Sequence, residues 1–373
     1  MKKIISLIIA LTMTLSIFSV AGTAFADDAP SGYKRDGFEF TFHADGTVYI
    51  KGYCGKAVKE LTVPAQINGK TVKSVSLDKT DSELRKAVEK ITIENGPENL
   101  MSNAIHFFDN LESLVIPDSV KRLETFCVSN CEKLSDVSIG SGVEYIGWSV
   151  FDSTKFMEDM ASSGKLVCYK DNYLLYCDQL NDEVPFKVKV KSGTKAIAEG
   201  AFVYGYLQSI TLTEGIKYLP SFAGCNYITT VKIPESVTVI PRRAFIDCYH
   251  LKSIVIPNGV KKIYRNTFSR CAELESVTLP DGLTLIGKYA FSRCKSLKRI
   301  KIPDSVKTIS KCAFTRSGIE SITIPAGVEK IGNNPFSYCK KLKQIKISKT
   351  NKHFYIKKGG LYRSKDGTLV WKK

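Results

Sequence analysis

The sequence is poor in the residues and motifs that carry catalysis. It contains four histidines, which are scattered and stand at no metal-ligand spacing: His43, His106, His250 and His353. No serine lies in a nucleophile elbow, and neither a phosphate-binding loop nor a paired-carboxylate motif occurs. We therefore expect no enzyme activity and no cofactor. His250, between Cys248 and Leu251, is more typical of a surface residue than of a catalytic base.

Long apolar runs are lacking after the start of the chain. No later stretch approaches the roughly 20 apolar residues that a membrane-spanning helix needs. The one long apolar run, residues 4–20, follows two lysines and precedes Ala24-Phe25-Ala26, which predicts a secretory signal peptide over residues 1–26, cleaved after Ala26. An uncleaved membrane anchor is the alternative. The mature chain is thus expected to be secreted or at the cell surface, without a membrane span.

What the sequence does contain is a repeat of about 23 residues. Successive copies carry a phenylalanine 22 or 23 residues apart: Phe222, Phe245, Phe268, Phe291, Phe314 and Phe336. Prolines step in the same way: Pro234, Pro257, Pro280, Pro303 and Pro325. A period of roughly 20 to 29 residues that opens with Leu-x-x-Ile-x-Ile is typical of a leucine-rich repeat.

One copy of the repeat shows how the pattern predicts a coil. Ile254 and Ile256 point inwards and Val255 points outwards, which predicts a short parallel strand that the following proline ends. Ile263 and Phe268 are expected to form the opposite wall. Because one turn cannot cover its own apolar edges, neighbouring turns must stack. The predicted fold is a β-rich leucine-rich repeat solenoid with a curved parallel sheet of short strands, β-hairpin caps and one hairpin insertion.

The repeat Cys-x-x-Leu-x-x-Ile-x-Ile-Pro-x-x-Val-x-x-Ile-x-x-x-x-Phe resembles that of the BspA-like bacterial leucine-rich repeat proteins. The resemblance covers most of the mature chain and implies a secreted or cell-surface, adhesin-like protein. Such a protein would contact host matrix proteins or other cells through its strand face. Because one fold serves many functions, the resemblance is more specific for fold than for function.

The remaining segments predict the domain organisation. Alternation of Phe38, Phe40 and Phe42 indicates a capping hairpin, and a second hairpin bent at Asp171-Asn172 interrupts the period. A short helix is predicted over residues 81–89. Two solenoids joined by a hinge are the alternative to one interrupted coil. The predicted order is signal peptide 1–26, N-terminal β cap 27–77, first repeat block 78–153, inserted hairpin 154–187, second repeat block 188–347 and C-terminal β cap 348–373.

The spacing of the eleven cysteines matches the repeat better than it matches a disulfide framework or a metal site. Six occupy the same place in the repeats, where a small buried hydrophobe packs well: Cys131, Cys225, Cys248, Cys271, Cys294 and Cys339. Cys168 and Cys177 are the better disulfide candidates, although the inferred turn does not place them opposite each other. Cys54, Cys127 and Cys312 have no assigned role. An odd count with in-register thiols argues against a disulfide-stapled scaffold.

Positive charge is concentrated in the last third of the chain. Residues 261–373 contain 26 Lys and Arg against 7 Asp and Glu, a net charge of +19, whereas residues 1–260 have a net charge of −2. Twenty of those 26 are lysines, whose flexible point charges suit diffuse attraction to a polyanion. A solubilising surface is the alternative interpretation. The candidate polyanion contacts are Lys340, Lys341, Lys343, Lys349 and Lys352.

Two outward columns along the predicted strands form the candidate binding face. Small hydroxyl groups and cations dominate them, and neither column contains an aromatic residue, so stacking on sugar rings or bases is not expected there. A polar face of this kind is a usual docking site in solenoids, although threonine also simply suits a pleated surface. The candidate residues are Thr211, Lys232, Ser253, Val255, Ser276, Thr278, Arg299, Lys301, Ser321, Thr323 and Lys346.

These patterns predict a non-enzymatic binding protein that engages an extracellular protein or a cell-surface ligand through the strand face. The alternative is a structural envelope protein, docked on an anionic wall polymer or acidic glycan through the basic last third. Extracellular nucleic acid would also match the charge, but sequence-specific nucleic-acid binding is not expected. No Leu-Pro-x-Thr-Gly sorting motif occurs, so the means of anchoring stays open.

Overall fold

The chain forms a β-solenoid of about 13 turns, with repeats of about 23 residues and little helix. The computed structural model describes residues 33–177 and 185–372. The predicted signal peptide, residues 1–26, lies outside the described residues. Within them, the expected fold class is confirmed.

Short strands recur in every part of the coil, and two short helices accompany them. The helices are α1 (Ser82–Ala87) and α2 (Lys155–Ala161). The strands, in chain order, are β1 (Tyr33–Arg35), β2 (Phe38–Phe42), β3 (Val48–Tyr53), β4 (Glu60–Val63), β5 (Gln66–Ile67), β6 (Lys70–Val75), β7 (Lys90–Ile93), β8 (Asn99–Leu100), β9 (Ile105–His106), β10 (Ser113–Ile116), β11 (Arg122–Leu123), β12 (Val128–Cys131), β13 (Asp136–Ile139), β14 (Tyr145–Ile146), β15 (Asp152–Thr154), β16 (Val167–Lys170), β17 (Tyr173–Cys177), β18 (Phe186–Lys189), β19 (Ala196–Ile197), β20 (Leu207–Thr211), β21 (Thr230–Lys232), β22 (Ser253–Val255), β23 (Lys262–Ile263), β24 (Ser276–Thr278), β25 (Leu285–Ile286), β26 (Thr308–Ile309), β27 (Ser321–Ile324), β28 (Lys330–Ile331), β29 (Gln344–Ile347), β30 (Phe354–Lys357), β31 (Gly360–Arg363) and β32 (Leu369–Lys372).

The coil has three walls, where the sequence suggested two. The strand face contains the sheets β13-β10-β7-β4, β18-β20-β21-β22-β24 and β27-β29. The second wall contains β6-β8-β11-β14 and, further along, β23-β25-β26-β28. The turn wall carries β15-β12-β9 and then the turns with the ladder phenylalanines. Ile263 and Phe268 therefore lie on different walls, because the chain turns again after β23 before it reaches the phenylalanine.

Parallel pairing keeps the turns in register. Ser253 pairs with Ser276 and Val255 with Thr278 on the strand face, and Ile263 pairs with Ile286 on the second wall. Each partner lies 23 residues further along the chain. Residues at the same place in the repeat therefore form straight columns on the surface and ladders in the core.

The phenylalanine ladder is the clearest of the core columns. All six ladder phenylalanines from Phe222 to Phe336 have no exposed surface. The ring centroids of Phe245 and Phe268 are 5.3 Å apart, with 9° between the ring planes. Each ring covers the next, so burial is shared along the array and no turn is stable by itself.

Antiparallel strands close both described ends of the coil, as the sequence predicts. At the first end β1, β2 and β3 pair antiparallel, and Phe38 and Phe40 are buried. At the second end β30, β31 and β32 form a small antiparallel sheet. Trp371 packs edge-on against Phe336, with the ring centroids 5.9 Å apart and 87° between the planes. The caps thus cover apolar edges that stacking leaves open.

The insertion contains the predicted hairpin and a helix that the sequence did not suggest. Strands β16 and β17 pair antiparallel, and β17 then pairs in parallel with β19, which joins the hairpin to the coil. Helix α2 precedes the hairpin. The Thr154 hydroxyl caps it by accepting a hydrogen bond from the Met157 N–H at 3.3 Å, and Phe156 is buried. The helix predicted within residues 81–89 is confirmed as α1, capped by Asp81.

Candidate functional site

The predicted outward columns are continuous across several strands of the strand face. Thr211 pairs with Lys232 between β20 and β21, and Val255 pairs with Thr278 between β22 and β24. Further along, Ser321 pairs with Gln344 and Thr323 with Lys346. Alternation along each strand puts these side chains outside and the isoleucines and valines between them inside. The structure therefore brings most of the candidate residues together on one surface.

The strand face is polar but not uniformly so. In β22, Val255 is 61% exposed while its inward neighbour Ile254 is 3% exposed. Hydroxyl and ammonium groups surround this valine on the adjacent strands, so the face offers hydrogen-bond donors, cations and one apolar contact. Such a mixture suits a protein or glycan surface better than a buried small-molecule site.

The strand face is divided, in contrast to the single sheet that the sequence predicts. Arg299 and Lys301 lie between β24 and β27 in a segment with no assigned strand. The following repeat, Phe314 to Phe336, is one residue shorter than its neighbours. The shortening falls in the turn before β27, where Gly318 packs directly against the backbone of Lys295. Residues 299–301 thus separate the sheet that ends at β24 from the sheet β27-β29.

The lysines of the basic last third do not form a single patch. Lys340 and Lys341 lie on the turn wall, Lys343 precedes β29, and Lys349 and Lys352 lie between β29 and β30. All five are exposed, and none forms an ion pair with any residue that the structure describes. Their charge is therefore distributed along the end of the coil and fully available to a polyanion.

The cysteines play a structural part. The eleven cysteines all lie in the described residues and none of them forms a disulfide bond, Cys168 and Cys177 included. In the hairpin Cys168 stands opposite Tyr176, and its thiol donates to the Met160 carbonyl at 3.3 Å, so it does not face Cys177. Cys127 and Cys312 are buried and Cys54 is exposed.

Histidine and acidic residues do not converge on a metal site in the described residues. No group of three or more His, Cys, Asp and Glu side chains there could hold a metal ion. His250 is exposed and lies 2.9 Å from the Glu273 carboxylate, as one surface ion pair. His106 lies 3.4 Å from Asp78 in a separate pair.

Neither described helix has the length and apolar character needed to cross a bilayer.

A polar and aromatic cluster at the insertion was missed by the sequence analysis. Arg122 donates to the carboxylate of Glu124 at 2.7 Å and to the hydroxyl of Tyr218 at 3.0 Å, and its guanidinium lies 4.1 Å from the centre of the Tyr145 ring. The Tyr145 hydroxyl donates to Glu199 at 2.7 Å. Residues from before and after the insertion therefore meet here, and their polar groups satisfy one another. The cluster joins the two repeat blocks.

Burial perturbs the acid–base behaviour of this cluster. Desolvation raises the pKa of the Glu199 carboxyl above its usual range, partly offset by hydrogen bonds from Tyr145 and Trp148. Burial also raises the pKa of Tyr145. The one sequence signal for the cluster is that Arg122 and Tyr145 stand 23 residues apart, at the same place in the repeat.

Solved structures similar to the chain are bacterial leucine-rich repeat proteins. A leucine rich cell surface protein from Faecalibacterium prausnitzii is 22% identical, covers 87% of this chain and 96% of its own, and has a TM-score of 0.33. A leucine-rich repeat protein from Bacteroides ovatus is 20% identical, with 85% and 95% covered and a TM-score of 0.32. The pneumococcal vaccine antigen PcpA is 17% identical, with 86% and 82% covered and a TM-score of 0.31. No curated protein matches the chain.

The repeats themselves match a family model over most of the chain. The match is to the BspA type leucine rich repeat region and covers residues 83–192, 182–275 and 261–365. The same span contains the strand face from β7 onwards, the phenylalanine ladder and the cysteine ladder described above. This protein belongs to the BspA-type leucine-rich repeat family.

Proposed function

We propose that this chain is an exported, non-catalytic binding protein that docks an extracellular protein or a cell-surface ligand on its strand face. The observation that carries the proposal is the strand face itself, where exposed hydroxyls and lysines stand in register on strands whose other side is buried. Side chains held on paired strands lose little further freedom on binding, which favours affinity.

Two further points support this function. The family repeat builds an extended surface, and solenoids commonly use such surfaces to dock partners. One structural relative is described as a cell surface protein. The proposal includes export after removal of residues 1–26, which N-terminal sequencing of the protein recovered from its own cells and medium tests directly.

The proposal is tested with two charge-matched triple variants. The first, K232E/K301E/K346E, changes the strand face, and the second, K262E/K311E/K330E, makes the same charge change on or beside the second wall. All six lysines are exposed.

Both variants and the unchanged chain are assayed on plates coated with fibronectin, laminin or collagen and on whole bacterial cells. We expect the strand-face variant to bind at least tenfold more weakly to the probe that the unchanged chain recognises, with the control close to normal. Equal losses of binding in both variants would show that net charge decides binding. Normal binding by the strand-face variant would exclude the strand face as the docking site.

A second candidate function is attachment to an anionic wall polymer or acidic glycan. The exposed, unpaired lysines of the last third favour it. Envelope-bound protein should then be released by about 0.5 M salt, where the Debye length falls to about 4 Å. The variant K340E/K341E/K343E should be released at low salt, whereas retention at high salt would argue for a packed protein interface.

A further inference from the structure

A second exposed surface lies on the turn wall, and we call it the turn edge. It consists of six residues shortly after the ladder phenylalanines: Arg270, Arg293, Arg316 and Tyr338 stand two places after the ring, Tyr249 four places and Tyr227 five places. The three tyrosines are 43%, 40% and 71% exposed in that order. The outward columns of the strand face have no aromatic residue. Aromatic rings and arginines therefore occur together on the turn edge and not on the strand face.

The phenylalanine ladder sets the spacing of the turn edge. Successive ring centroids from Phe222 to Phe314 are 5.3 to 5.4 Å apart. The backbone positions two places after the ring, which hold Arg270, Arg293, Arg316 and Tyr338, recur at a similar interval. One sugar unit of an extended polysaccharide has a comparable length, so a linear glycan along the turn edge would present about one sugar to each turn.

The backbone of the turn edge is strained. The residue two places after each ladder phenylalanine has φ between 57° and 69° in Asp247, Arg270, Arg293, Arg316 and Tyr338. This left-handed region is adopted readily by glycine and rarely by arginine or tyrosine. Gly224 holds the equivalent place in an earlier turn, with φ of 74°. The residues two places before the rings, Arg243, Asn266, Tyr289, Cys312 and Asn334, are left-handed as well, so the conformation belongs to the turn of the repeat.

Local contacts hold the edge side chains in place while leaving their binding groups open. The Asp247 carboxylate accepts from the Tyr249 hydroxyl at 3.0 Å and pairs with Nε of Arg270 at 2.8 Å. The terminal nitrogens of that guanidinium carry further N–H donors. The guanidinium of Arg316 lies 5.1 Å from the centre of the Tyr338 ring. Arg293 forms no ion pair with any described residue.

We propose that the turn edge binds an acidic polysaccharide, whose carboxylate or sulfate groups pair with the arginines and whose sugar rings stack on the tyrosines. Guanidinium groups match such anions with paired hydrogen bonds, which lysines cannot do. The carboxylates of Asp247 and Glu273 on the same edge can accept hydrogen bonds from the hydroxyl groups that every sugar unit of a polysaccharide carries. This inference rests on the second candidate function, attachment to an acidic polymer, and assigns that attachment to the turn edge rather than to Lys340, Lys341 and Lys343.

The test measures binding of the full chain to immobilised heparin, alginate, dextran and oligothymidine at about 0.15 M salt. The edge variant is R270Q/R293Q/R316Q, and the control K262Q/K311Q/K330Q removes the same charge elsewhere. Circular dichroism confirms that each variant is folded. Two single variants leave the net charge unchanged. R293K removes the paired hydrogen-bond geometry of the guanidinium, and Y338A removes a ring on which a sugar could stack.

The proposal predicts binding to heparin or alginate, none to dextran and weaker binding to oligothymidine. The edge variant should bind the acidic glycan at least tenfold more weakly and the control less than twofold, while R293K and Y338A should each lose severalfold. Equal losses in the two triple variants, tighter binding to oligothymidine, or no binding to either acidic glycan would overturn it.

The same assay separates this proposal from the candidate function on which it rests. If K340E/K341E/K343E abolishes glycan binding while the edge variant leaves it intact, attachment through the basic last third stands and the turn edge is excluded. If the unchanged chain binds no polyanion, both fail together. The strand-face proposal is untouched by either result, because its probes are proteins and cells.

Discussion

The thiol of Cys271 donates a hydrogen bond to the carbonyl oxygen of Phe245, 26 residues earlier, at 3.0 Å. The same carbonyl accepts from the backbone N–H of Cys248. A buried acceptor with two lone pairs is thus satisfied twice, once by its own turn and once by the next. The bond recurs at 3.0 Å between Cys248 and Phe222 and between Cys294 and Phe268. The cysteine ladder therefore links each turn to its predecessor.

Replacing Cys271 with alanine should lower the free energy of unfolding by roughly 1–2 kcal/mol, because a hydrogen bond is lost and a small void is left. Serine should cost less, since it keeps a donor and since Ser317 already occupies the equivalent ladder place. Urea unfolding of both variants checks the order. An alanine variant as stable as the unchanged chain would remove the structural role assigned to the thiol.

Replacing Phe268 with alanine should be more damaging. Its ring is fully buried and stacks on both neighbours, at 5.3 and 5.4 Å, so truncation should cost about 3–5 kcal/mol. The matched control is Phe107→Ala, because that ring is 55% exposed and should contribute about 0.5 kcal/mol or less. Urea unfolding compares the two, and similar losses would contradict the stacked core.

A thiol reagent should label the native chain quickly at Cys54 alone. That residue is exposed, while the other ten cysteines are buried. Burial also raises the pKa of Cys225 to about 12, so its reactive thiolate is scarce near neutral pH. Mass spectrometry after brief labelling should find one adduct, and unfolding in urea should yield eleven. Two or more fast adducts on the native chain would show that the ladder opens readily.

Stability should depend on the ionisation of Glu199. Burial raises the pKa of its carboxyl in the folded chain above the ordinary value of 4.5, so the folded state holds the proton more tightly than the unfolded state. The ionised carboxylate lowers the free energy of unfolding. This loss is absent below the ordinary pKa, grows as the pH rises from the ordinary pKa to the folded pKa, and is constant above the folded pKa. The free energy of unfolding of Glu199→Gln, measured relative to the unchanged chain, should therefore be higher at pH 7 than at pH 4. A pH-independent difference in urea midpoint would contradict this.

The coil and its outward columns could be predicted from sequence because both follow from local period. Alternation placed Ile254 inside and Val255 outside, and a step of 23 residues put Val255 beside Thr278. The capping hairpin was visible from Phe38 and Phe40 for the same reason. Helix α2 was hidden, since only the Thr154 cap and a few apolar residues mark so short a helix.

Features that depend on distant contacts could not be predicted. Arg122 meets Tyr218 across 96 residues, and that meeting depends on how the insertion returns the chain to the coil. The interruption of the strand face at Arg299 has no counterpart in the sequence pattern, which continues through Ile300 and Ile302. The turn edge has one sequence signal, the step of 23 residues between Arg270, Arg293 and Arg316, but the backbone of the turns decides which tyrosines lie beside them.

Docking on the strand face is tested most directly by finding which wall of one turn touches the partner. A photoreactive amino acid is placed either at Val255 on the strand face, which is 61% exposed, or at Lys262 on the second wall. Each protein is bound to the matrix protein or cells that the unchanged chain recognises and is then irradiated. Docking on the strand face predicts crosslinks to that partner from position 255 and not from position 262. Crosslinking from position 262 alone, or equally from both, would contradict docking on the strand face.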